Sequence, residues 1–240
     1  PEQPLLPAPL TATDINYLSI SELSLHYQGM IHPLIPMRIR GVVWSLGENG
    51  SVNFFYLKGL LQSWRQAWGQ GDFPFYVELL PQVGAPAANP GPIDGWTHIR
   101  EEQAKCLALP NTGVTVTFDV SDYLADSRNR QDPGERLARI ALAREYGRTL
   151  AYSGPLYKNH RVEGNSVVIG FDHVGGGLIV GDKRGLAPLA EVKDGVLKGF
   201  AIAGDDKKWF RADANIAGET VVVIELAPGV FKWDNLEGIL

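Results

Sequence analysis

Ligands of an open parallel β-sheet bind beyond the carboxyl ends of the strands, so the residues that follow strand-like runs are where chemistry would sit. Gly47-Glu48-Asn49-Gly50 follows such a run. Glycine followed closely by asparagine presents a backbone N–H and a side-chain amide to a developing oxyanion, which acyl transfer requires. The same residues also spell an ordinary turn, and taken alone the turn is the better reading. Gln82 follows a second run, and Asp119, Ser121 and Asp122 follow a third. Carboxylates there would orient a catalytic histidine, or cap the next helix as such groups more often do. A nucleophile needs a base beside it, and of His26, His32, His98, His160 and His173 none follows the third run. Cys106 lies on the apolar side of a helical pattern and reads as a small core residue. Gly175-Gly176-Gly177 lacks the strand-to-helix context and the Lys-Ser/Thr of a phosphate loop, so it reads as a bend. No metal-ligand spacing is present, and no cofactor is expected.

Those positions must be held by elements, and the apolar pattern supplies them. Ile39–Leu46, Phe73–Leu80 and Val114–Val120 are short runs rich in β-branched and aromatic residues, the first two apolar almost throughout, as in a sheet covered on both faces. Between the first two, Phe54, Leu57, Leu61, Trp64 and Trp68 recur at intervals of three and four before Gly69, which predicts an amphipathic helix over 53–68 with a glycine stop. Asp94 is placed to cap a helix through Trp96, Ile99, Cys106 and Leu107 that stops near Pro110. Asp132-Pro133-Gly134-Glu135 reads as cap, first-turn proline and glutamate opening a helix to Gly147. From Ser153 onward the chain turns to short strands with hairpin signals at Glu163-Gly164-Asn165 and Ala217-Gly218. The expected architecture is α/β: a partial flavodoxin-like parallel sheet in 27–152, followed by a small antiparallel β-sandwich in 153–240.

Composition narrows the function classes. The chain has 240 residues, 45% of them hydrophobic, enough to bury a real core. Lys and Arg total 22 against 27 Asp and Glu, a net charge of −5 without a basic run, so nucleic-acid binding is not expected. The longest apolar stretches fall far short of the roughly 20 residues a spanning helix needs. A single cysteine makes no internal disulfide and says little about compartment. The chain opens at Pro1 with neither an initiator Met nor a signal-like segment, which suggests that a leader or longer N-terminal part has been removed.

Long ordered segments carry a family resemblance: Tyr27-Gln28-Gly29-Met30-Ile31-His32-Pro33-Leu34-Ile35-Pro36, Arg40-Gly41-Val42-Val43-Trp44, Trp64 to Phe75, Leu109-Pro110-Asn111-Thr112-Gly113, Gly134 to Ala138, Ser153 to Lys158 and Gly199 to Trp209. Together they resemble the sialate O-acetylesterase family of SGNH-type carbohydrate esterases. The resemblance implies a flavodoxin-like hydrolase sheet, a trailing β domain, acetyl esters of sugars as substrates and an extracytoplasmic location. In that family a serine in a Gly-Gln-Ser-Asn-Met segment attacks the ester, a histidine in an Asp-Ile-His-Pro segment activates it, and a Gln-Gly-Glu-Ser-Asn segment helps hold the oxyanion.

The chain departs from the family at all three places. Nothing before Tyr27 matches the nucleophile segment. Leu46 stands at the glutamine position, so that Gly47 and Glu48 are retained and Asn49 is left as the candidate oxyanion donor. Ala125 to Gln131 corresponds to the histidine region, where Asp126 keeps the acidic position and the histidine has no counterpart; His98 is the spare base nearest the sheet. The candidate site is therefore Asp126 and Asn49 as catalytic residues, with Gly47, Glu48 and Asn49 binding substrate. A chain without its serine and histidine is not expected to turn over alone. The family's missing first strands also leave one edge of Val42–Trp44 open. Leu18, Ile20, Leu23 and Leu25 alternate with polar residues apart from one slip, so 16–26, within an arm of residues 1–26, is expected to pair there. The alternatives are an irregular arm, with the edge covered by another copy or a separate partner chain. A binding module, with Trp96 and Tyr123 stacking on sugars, and an assembly protein are the competing functions.

Overall fold

The computed structural model describes residues 26–45, 53–81, 84, 95–121, 129–193, 195, 197–203 and 208–224. Strands β1 (Val42–Ser45), β2 (Phe75–Glu78) and β3 (Thr112–Thr115) form a parallel sheet in that order. Helix α1 (Phe54–Trp68) joins β1 to β2, and α2 (Gly95–Ala104) with a following 3-10 turn (Lys105–Ala108) leads to β3. Helix α3 (Gln131–Arg144) comes after β3. Successive side chains of a strand point to opposite faces. Phe75 and Val77 accordingly pack with Leu57, Leu61 and Cys106 on the α1 side, while Tyr76 packs with Leu137 and Ile140 of α3 on the other.

The first helix forms as its sequence dictates. Asn53 Oδ1 accepts the Tyr56 N–H at 3.1 Å, and Gly69 takes a left-handed φ of 62° while its N–H donates to the Arg65 carbonyl. Two expected boundaries move. The third strand stops at Thr115, and Phe118–Val120 forms a 3-10 turn in place of strand. Between them Thr117, with φ −135° and ψ −9°, leaves the extended region, and its hydroxyl donates to the Leu79 carbonyl at 2.6 Å. Asp132 does not cap α3 either; it lies within the first turn, where its N–H donates to Asn129 Oδ1, ahead of the helix, at 3.2 Å.

Beyond α3 the sheets are antiparallel. Strands β4 (Leu156–Glu163) and β5 (Ser166–Asp172) form a hairpin. Short pairs follow: β6 (Gly181–Asp182) with β7 (Ala190–Glu191), and β8 (Ala201–Ala203) with β9 (Trp209–Arg211). Strands β10 (Asp213–Ala217) and β11 (Thr220–Ile224) complete a four-stranded sheet in the order β10-β11-β5-β4. Both hairpins turn on a glycine of positive φ at the first of two loop residues, Gly164 and Gly218, a position a type II′ turn reserves for it. Ile202 of β8 packs into the same core as Val167, Ile169, Ala214, Val221 and Val223. The short β8–β9 pair thereby covers one face of the four-stranded sheet's core.

β1 stands at the end of the parallel sheet, with no strand on its outer side among the described residues. Its Val43 points to the α3 side and is 58% exposed. The pairing expected for 16–26 lies outside the described residues apart from His26, which is helical and not extended.

Candidate functional site

Gly47, Glu48, Asn49 and Asp126 all lie outside the described residues, as do Gln82, Asp122 and Tyr123. What is described is the frame around them, at the carboxyl end of the sheet. On one side α1 begins, its Phe54 N–H donating to the Glu102 carboxylate of α2 at 2.9 Å. The Lys105 ammonium and that N–H hold Glu102 below the usual carboxylate range against the opposing effect of burial. Gln103, fully buried on the next position of α2, accepts the Leu80 N–H at 2.9 Å and so closes the backbone just beyond β2. Two consecutive α2 residues thereby fix the rim between β1 and β2.

On the other side, a small cleft opens between the end of β2, the residues after β3 and the first turn of α3. Glu78, Thr117, Ser121, Asn129, Arg130 and Pro133 contribute to its lining. Ser121 and Asn129 are the described residues that flank 122–128, the segment carrying Asp126, and both line the cleft. Asn129 Nδ2 donates to the Val120 carbonyl at 3.1 Å and to Asp132 at 2.6 Å, which fixes the rim. Glu78 is the residue that pattern reading passed over. It sits in a run otherwise apolar on both faces, and a lone charge in such a run was the available signal.

The remaining candidates sort into structural roles. Asp119 meets the Arg136 guanidinium through two bonds of 2.7 Å; that pairing raises the Arg136 pKa and ties the 3-10 turn to α3. Cys106 is fully buried in the α1-side core, and burial pushes its thiol up to about 11, so it is no nucleophile. Gly175 and Gly177 have positive φ in a turn closed by the Gly177 N–H on the Val174 carbonyl, the bend expected. His98 is exposed on α2; His160 pairs with the Tyr157 hydroxyl at 2.6 Å on β4; His173 stacks edge-on with Tyr152. No histidine lines the cleft among the described residues. Trp96 is half-buried, whereas Phe55 and Tyr56, at the start of α1, are 77% and 63% exposed and meet edge to face. Among the described residues no helix is long and apolar enough to cross a membrane.

No family model matches the chain. Human sialate O-acetylesterase is 31% identical over 172 residues, covering 59% of this chain and 32% of that protein. The Pongo abelii sialate O-acetylesterase is 31% identical over 163 residues, 57% of this chain and 30% of that one. The chain thus spans only 30% to 32% of the length of these curated relatives. Among solved structures, a carbohydrate acetylesterase from Xanthomonas citri matches with a TM-score of 0.71 at 33% identity, covering 83% of this chain and 45% of that one. The resemblance carried by the ordered segments is borne out, as is the combination of a parallel sheet with antiparallel sheets.

Proposed function

Starting from that likeness to sialate O-acetylesterases and a carbohydrate acetylesterase, we propose that this chain is the sheet-and-β-module part of an extracytoplasmic sugar O-acetylesterase fold, and that these residues alone do not catalyse ester hydrolysis. In this reading 27–152 supply the partial hydrolase sheet and 153–240 the trailing module. The family reaction transfers an acetyl group from a sugar hydroxyl to a serine and then to water, releasing the sugar and acetate. The observation that carries the reading is the structural match at 33% identity over 83% of the chain. The absence of a serine and histidine at the family's motif positions supports the lack of turnover. Gly47, Glu48, Asn49 and Asp126 are the residual site, with Asn49 as oxyanion donor and Asp126 as the retained acid. A nucleophile would have to come from a preceding segment or a separate chain.

The test is hydrolysis of p-nitrophenyl acetate by the purified chain beside a variant with Asn49→Ala and Asp126→Ala. Equal, background-level rates are expected. A rate above the double variant's overturns the inactive reading and assigns the chemistry to those two residues. A binding role without turnover is favoured by one observation, the exposed Phe55–Tyr56 pair beside the carboxyl end of β1, since aromatic faces can stack on sugar rings. Saturable binding of an acetylated sugar without hydrolysis distinguishes it.

A further inference from the structure

We propose that Glu78 is a ligand-positioning carboxylate, and that the cleft it lines accepts a hydroxyl group of a sugar held over the carboxyl end of the sheet. The proposal rests on the carbohydrate reading above and adds a subsite to it. Glu78 is the last residue of β2, the central strand, at the end of the sheet where ligands of such folds bind. It shares a face with Tyr76, two residues earlier, whose ring packs under α3 and whose hydroxyl is bonded to Glu145 at 3.0 Å. One step further along the strand, the same face opens into the cleft.

Glu78 is only 8% exposed, yet among the described residues no hydrogen bond or ion pair reaches its carboxylate. Its oxygens are not among the fully enclosed atoms, so with no donor in reach among the described residues they are left to be satisfied from the cleft that Glu78 lines. Thr117 and Asn129, beside it in the cleft, spend their donors elsewhere. Thr117 gives its hydroxyl hydrogen to the Leu79 carbonyl, and Asn129 gives its amide hydrogens to Val120 and Asp132. The first turn of α3, with Pro133 in the lining, directs the positive end of a 14-residue helix at the site and favours an anion there.

An ionised carboxylate only accepts hydrogen bonds, so the partner must donate. Arg130 in the lining carries positive charge close by, which favours a neutral donor over a further cation. A hydroxyl meets both conditions and suits a cleft too small for a sugar ring. A sugar places several hydroxyls around a ring that can remain outside the cleft.

The decisive experiment follows the side-chain carboxyl carbon resonances of the wild-type chain by NMR while N-acetylneuraminic acid or methyl β-D-xyloside is added, then repeats the titration with Glu78→Gln. The Glu78 resonance is expected to move on saturation, and the variant, folded by circular dichroism, to bind about tenfold or more weakly. The variant should also be about as stable as the wild type without sugar, because no protein hydrogen bond to Glu78 is lost. Binding of equal strength in both proteins, or a Glu78 resonance that does not move, overturns the subsite and leaves the carbohydrate reading standing. No binding of either sugar to the wild type overturns both. The resonance test needs no variant, so it decides the matter even if Glu78→Gln fails to fold.

Discussion

Arg65 shows what a single side chain does for this sheet. It lies on the buried face of α1, where a charge is admitted only with partners. Its guanidinium donates to the Phe73 carbonyl at 2.7 and 3.2 Å and to the Pro110 carbonyl at 2.8 Å, with Asp72 at 3.5 Å. It thereby clamps the segments that enter β2 and β3. Replacing Arg65 by Met keeps most of the volume but leaves buried carbonyls unpaired, and is expected to cost about 2–4 kcal/mol in urea denaturation, with Lys restoring only part of it. A loss under 1 kcal/mol would show that water replaces the clamp. Whether such residues could be read from sequence depends on context. The burial of Cys106 followed from its place on an apolar stripe. Arg65 shares its helix with apolar neighbours and could be placed only within the matched segment Trp64 to Phe75. Glu78 was hidden because strand alternation says which face a residue takes, not whether a partner waits there.

Elements with both ends marked were legible, and those closed by tertiary bonds were not. α1 carries its asparagine cap, its stripe and its glycine stop in the chain itself. The end of β3 depends on Thr117 reaching the backbone of a neighbouring strand, and Val116 and Phe118 still look strand-like when read alone. The contact of α3 with the sheet was invisible for a related reason, since it turns on a missing side chain. A Cβ at Gly113 of β3 would stand 3.1 Å from Tyr76 Cδ1, 3.2 Å from Ile140 Cγ2 and 3.3 Å from Arg144 Nη1. Helix and sheet therefore approach closely because this position has no side chain. Gly113→Ala must push α3 outward or shift Tyr76, and is expected to lower stability by about 1–3 kcal/mol despite the better strand propensity of alanine. Calorimetry of the two proteins checks this, and an unchanged melting temperature would mean that α3 yields freely.

At the scale of the molecule the described cores are separate, one pair lining the two faces of the parallel sheet and one within the antiparallel layers. The likeness to longer relatives anticipated both parts, but single-chain periodicity could not say what joins them. A partly buried ion pair does part of that: Lys183, just beyond β6, meets Asp132 in the first turn of α3 at 2.5 Å. Burial works against the Asp132 charge, but hydrogen bonds from Lys183 and Asn129 and the charges of Lys183 and Arg136 outweigh it and hold the carboxyl below the usual aspartate range. A carboxylate whose pKa is lower in the folded state contributes fully above its unfolded value of about 3.9, and its contribution disappears as pH falls through the folded value. Asp132→Asn should therefore cost about 1–3 kcal/mol at pH 7, and the gap from wild type should narrow steadily below about pH 4. Urea denaturation at pH 7, 5, 4 and 3 measures the gap. A difference independent of pH would mean that Asp132 acts through its shape and hydrogen bonds, with its charge immaterial to the tie between the two parts.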